Sequence, residues 1–105
     1  MELLTTKEAF EQAVKNNASL VLLKHSLTCP ISSKAKRQFV KFHENHEVPS
    51  YIIHIQENRD LSDYVAEYFG IKHESPQVFL IKNGEVIFDA SHWNVTAKKL
   101  EKVVQ

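Results

Sequence analysis

Ser19 to His25, reading SLVLLKH, constrains the fold more than any other segment of this sequence. The run is largely apolar, too short for an independent helix, and rich in side chains that suit a strand covered on both faces. Such a strand is central to a sheet and calls for helices on both sides of it. The neighbouring segments supply them. Thr5 with Glu8 three residues later has the form of a capping box, and Ala9, Phe10, Ala13 and Val14 then share one helical face to about Asn17. After the run, Ile31, Ala35, Phe39 and Phe42 recur at helical spacing among Lys34, Lys36, Arg37, Gln38 and Lys41, which predicts a second helix ending near Asn45.

The Val48-Pro49 step marks a turn that no helix runs through, and Tyr51 to Gln56 (YIIHIQ) reads as another strand. Asp60 is the expected cap of a third helix with Leu61, Tyr64, Val65, Tyr68 and Phe69 inward, stopped by Gly70 in a left-handed conformation. Gln77 to Ile81 and Glu85 to Asp89 flank Asn83-Gly84, the strongest local hairpin signal in the chain. Asn94 is the expected cap of a last helix with Val95, Leu100, Val103 and Val104 inward, and Trp93 stands just ahead of it, where it can close the sheet face. The element order predicts an α/β fold: a mixed four-stranded sheet with an antiparallel C-terminal hairpin and helices on both faces. Its 105 residues suit a single domain, residues 1–105, since two cores would leave neither half large enough.

Thirteen basic residues balance thirteen acidic ones, so overall charge points to neither a nucleic-acid nor a membrane partner. No stretch approaches membrane-spanning length, and the first residues lack the basic and apolar regions of a cleaved signal. The single cysteine cannot build a disulfide framework and suits a reducing compartment, so a cytoplasmic location is expected.

That cysteine carries the chemistry. Leu27-Thr28-Cys29-Pro30-Ile31-Ser32 lies where the central strand ends and a helix begins, which puts Cys29 at or beside the helix N-cap. There the unpaired amides of Ile31 and Ser32 can stabilise a thiolate, the attacking form of the group. Pro30 suits the first helical position, where its missing N–H removes no bond. A lone cysteine is otherwise most often a small buried hydrophobe; the strand end, the proline and the helix start favour a reactive thiol instead.

The element order, a cysteine after the first central strand, and Ser75-Pro76 just before the hairpin together resemble the thioredoxin fold over essentially the whole chain. Thr28-Cys29-Pro30-Ile31-Ser32 and its flanks resemble, more narrowly, the monothiol bacilliredoxin family of the bacillithiol system. The resemblance implies a thiol-disulfide oxidoreductase that removes bacillithiol, a cysteine-glucosamine-malate thiol, from S-bacillithiolated client proteins. Bacillithiol would be a co-substrate, with no tightly bound cofactor. Ser32 stands where dithiol relatives carry a resolving cysteine, and its hydroxyl can donate to the Cys29 thiolate but forms no disulfide. The resemblance also implies a cis Ser75-Pro76 bond, whose loop would offer backbone groups to an extended substrate; an average X-Pro bond is cis only about 5–6% of the time.

Lys24 and His25 before the loop, Arg37 on the second helix and His73 before the proline are candidate ligands for the small thiol, Arg37 alone offering a bidentate fork. Most such charges are solvated surface. The six histidines are scattered over different elements, so no metal site is expected. Asn94-Val95-Thr96 matches a glycosylation acceptor but reads better as a helix cap. A redox-inactive adaptor binding partners through the loop near Pro76 stays open, since fold alone does not imply activity. A phosphatase-like site is disfavoured because no glycine-rich cradle follows Cys29.

Overall fold

The computed structural model of the chain describes residues 1–104. Ser19–His25 (β2) is a strand with the predicted ends, and all its residues but the first are buried. It lies parallel to Ser50–His54 (β3) and antiparallel to Gln77–Lys82 (β4), which pairs with Glu85–Ser91 (β5). The hairpin turn is Asn83-Gly84, with φ of 52° and 82°, the left-handed pair that a two-residue turn of matching twist requires. Glu2–Leu3 (β1) adds a fifth strand, parallel to β3, giving the order β1-β3-β2-β4-β5. The expected four strands are therefore five. Two exposed residues at an edge carry no alternation that a sequence pattern could register.

Four α-helices cover the sheet: α1 (Lys7–Asn16), α2 (Pro30–Asn45), α3 (Arg59–Phe69) and α4 (Ala97–Val104). Alternation along β2 sends Leu20 and Leu22 to a core with Phe10, Val14, Leu61 and Val65 of α1 and α3. It sends Val21 and Leu23 to a second core with Ala35, Phe39, Phe42 and Leu100 of α2 and α4.

Three caps differ from expectation. Thr6, not Thr5, caps α1, its hydroxyl accepting from the Ala9 N–H at 3.0 Å. Asn58, not Asp60, precedes α3, and Asp60 lies in the first turn, where its charge suits the helix dipole. Thr96, not Asn94, accepts from Lys99 N–H at the start of α4, while Asn94 ends a short 3-10 turn, His92–Asn94, and accepts from Lys99 Nζ. Trp93 in that turn does not close the sheet face: it is 64% exposed, with Lys34 Nζ 5.4 Å from its ring centre. Gly70 ends α3 at φ 65°, as predicted.

Candidate thiol site at the start of α2

β2 and β3 run parallel, so the loops leaving their C-terminal ends lie side by side, the usual place for a site in an open α/β sheet. The first of these loops carries Thr28 and Cys29. Cys29 occupies the N-cap position of α2 in extended conformation and is partly exposed. Its carbonyl accepts from Ser33 N–H at 3.2 Å, the first bond of the helix, and Pro30 fills the first helical position.

The sulfur makes no capping hydrogen bond, so the Ile31 and Ser32 amides are not engaged by it. Ser32 also differs from expectation. It is fully buried, and its hydroxyl accepts from the Ser26 N–H at 3.1 Å, so it fixes the loop from below and does not donate to Cys29. Ile31 is half-buried and borders a cavity of about 260 Å³ with Lys34 and Trp93.

Gln56 holds the loop from the other side. Its Oε1 accepts from Leu27 N–H at 2.9 Å, and its Nε2 donates to Ser26 Oγ at 2.8 Å and Thr28 Oγ1 at 3.2 Å. The sequence reading made Gln56 the last residue of a strand, whereas β3 ends at His54 and the chain turns before it. No local pattern marks this role; the parallel adjacency of the two strand ends is the signal from which it follows.

The Ser75-Pro76 bond is cis. Pro76 has no N–H, and its carbonyl accepts from His92 N–H at 2.9 Å, extending the pairing beyond β5. Ser75, on the other side of the cis bond, is half-buried. Buried Gln77 secures the approach to the loop by accepting from Glu74 N–H and donating to the Lys72 carbonyl.

The four candidate thiol ligands fall into two groups on opposite faces of the sheet. Lys24 points toward α3 and is fully buried, its Nζ donating to the Ser62 carbonyl at 2.9 Å and lying 3.2 Å from His73 Nδ1. Ser62 Oγ is also 3.2 Å from that nitrogen. Burial lowers the Lys24 pKa to about 8 against a raising influence from Asp63, and burial followed by the Lys24 charge lowers that of His73. Lys24 and His73 thus satisfy each other beneath the sheet. His25 faces α2, where it lines a cavity with Ser33, Lys36, Arg37 and Val40. Burial first, then the charge of Lys36, lowers its pKa. Among the described residues no cluster of three or more His, Cys, Asp or Glu forms, and no helix is long and apolar enough to cross a membrane.

Residues 2–100 match a family model described as monothiol bacilliredoxin BrxC. A solved structure described as a proposed oxidoreductase with a thioredoxin fold is 39% identical and superposes with a TM-score of 0.94, covering 98% of this chain and 92% of its own. Fasciola hepatica thioredoxin, 16% identical, superposes at 0.79 over 99% of this chain and 96% of its own. Reduced Schistosoma mansoni thioredoxin pre-protein, 17% identical, does so at 0.77 over 98% and 93%. The two thioredoxins share the fold.

Proposed function

Since the chain belongs to the monothiol bacilliredoxin family, a family of thioredoxin-fold thiol redox proteins, we propose that it removes bacillithiol from mixed disulfides on client proteins through Cys29. The observation that carries this reading is the position of the chain's one cysteine: partly exposed, at the start of α2, where the helix dipole favours negative charge.

In the proposed cycle the Cys29 thiolate attacks the bacillithiol sulfur of the client disulfide. The Cys29–bacillithiol disulfide forms as the client disulfide breaks, and the client leaves as a thiolate that takes up a proton. A second small thiol, as its thiolate, then attacks the bacillithiol sulfur, releasing the Cys29 thiolate and carrying bacillithiol away as a low-molecular-weight disulfide. One disulfide is consumed and one formed in each half, so no other oxidant enters. With no second cysteine in the chain, the resolving thiol must come from outside. Ser75, beside the cis bond, would align the client backbone. A reducing cytoplasm is the compartment this cycle suits.

Incubation with the oxidised forms of bacillithiol, glutathione and coenzyme A, followed by intact mass, tests the reading. Wild type should gain one bacillithiol quickly and selectively, and Cys29→Ser none. Equal slow addition of all three would remove the selectivity, and addition of none would leave the redox-inactive adaptor as the better account.

A further inference from the structure

On α2, Ser33, Lys36, Arg37 and Val40 continue at helical spacing the stripe that starts at Cys29. With His25 from β2 they line an open cavity of about 420 Å³. Its two cations are exposed, and neither pairs with a carboxylate among the described residues. His25 is only 6% exposed, and its Nδ1 is buried with no hydrogen-bond partner. A buried, unpartnered ring nitrogen is costly and uncommon. Here it belongs to a residue that borders a hollow with positive charge and no acid to balance it.

Distance connects this hollow to the thiol. At a rise of ~1.5 Å per residue, Ser33 lies about 6 Å and Arg37 about 12 Å along the helix axis from Cys29. Helical side chains lean toward the N-terminus, which brings the Lys36 and Arg37 head groups back toward the sulfur. A small thiol joined to Cys29 would span that interval with its own tail.

We propose that the cavity is an anion subsite for the carboxylate-bearing end of the small thiol, with Arg37 and Lys36 as the charged contacts. This deepens the function proposed above and rests on it. Arg37 supplies a planar fork that matches a carboxylate and Lys36 a point charge, while His25 forms part of the wall. Burial is the first cause of the lowered His25 pKa, and the Lys36 charge adds to it, so the cavity wall already feels that cation. For bacillithiol the group held there is the malate dicarboxylate.

The test compares loading of Cys29 by bacillithiol disulfide and by the corresponding disulfide of cysteinyl-glucosamine, which lacks malate, in wild type and in Arg37→Gln. Wild type should prefer the malate-bearing disulfide, and Arg37→Gln should slow its loading about tenfold more than that of the malate-free one, mainly through KM, as expected for a lost charge-assisted bond. Equal rates with both disulfides in wild type, or an equal loss in the variant, would overturn the subsite and leave the oxidoreductase reading standing. If neither disulfide loads Cys29 the oxidoreductase reading fails, and malate titrated into isotope-labelled Cys29→Ser then decides the subsite alone. Amide shifts at Ser33, Lys36 and Arg37 that Arg37→Gln abolishes would support it, and their absence would sink it.

Discussion

Lys24 is a charge with nowhere to go. It is fully buried, on the face of the sheet opposite α2, and among the described residues its Nζ hydrogen-bonds the Ser62 carbonyl and the His73 ring. Its folded pKa of about 8 lies below the ordinary 10.5, so above pH 8 the unfolded chain holds this proton more tightly than the folded one. Stability contributed by this group should therefore rise with pH between about 8 and 10.5. The lowered pKa values of His25 and His73 act at the other end: both favour the neutral ring, and stability should fall as pH drops through 6.5 and on through their folded values. Urea midpoints across pH for wild type and Lys24→Met isolate the alkaline part, since a neutral side chain of similar length has no proton to lose. Wild type should gain stability relative to Lys24→Met from pH 8 to 10.5, whichever of the two is the more stable at pH 8; a constant difference would mean that folding does not lower the Lys24 pKa. The sequence made the placement of the thiol at a helix start legible, because strand end, Cys-Pro and helix start leave a local signature, whereas the cis bond at Ser75-Pro76 followed only from the family resemblance and has no local pattern of its own. It did not separate Lys24 from Arg37 as ligands. Period-two alternation already puts neighbours Lys24 and His25 on opposite faces, but what lies on each face depends on residues 38 and 49 positions away.

At the scale of elements, the thiol loop is held by two polar clamps from different parts of the chain. The Ser32 hydroxyl takes the buried Ser26 N–H, and the Gln56 amide bonds Ser26, Leu27 and Thr28 together. Ser32→Ala should cost about 1–3 kcal/mol in chemical unfolding, the penalty of a buried donor left without its acceptor. A loss below that range would mean the Ser26 amide finds water. Gln56→Ala acts on an exposed residue and should leave the unfolding midpoint close to wild type while slowing disulfide exchange at Cys29, because a looser loop presents the sulfur in more orientations. Unchanged exchange rates would relegate Gln56 to a surface contact. Elements themselves were legible where a run or a period spans a whole turn: β2, the Asn83-Gly84 hairpin and the left-handed stop at Gly70 fall where expected. Caps were less so. Thr5 and Thr6 are equivalent in type, and the choice depends on which hydroxyl meets an amide three residues on, a matter of backbone angle that composition does not record.

Across the whole molecule, the buried strands β2 and β4 lie between two hydrophobic cores and contribute side chains to both. Phe10 anchors the core under α1 and α3, and Phe39 the one under α2; each is fully buried. Truncating either to Ala should cost about 3–5 kcal/mol. The sharper question is whether the two losses strike one transition or two. Neither core can open without exposing one face of a strand whose other face the second core still covers, and the backbone ladder of β2 serves both at once. The cores should therefore melt together: in Phe10→Ala and in Phe39→Ala alike, far-ultraviolet circular dichroism and Trp93 fluorescence should give coincident urea curves, shifted to lower denaturant with the same slope. Trp93 sits on the α2 side, against Lys34, so a Phe10→Ala curve in which its fluorescence outlasts the loss of secondary structure would show that the faces unfold separately. That outcome would contradict the expectation of a single domain.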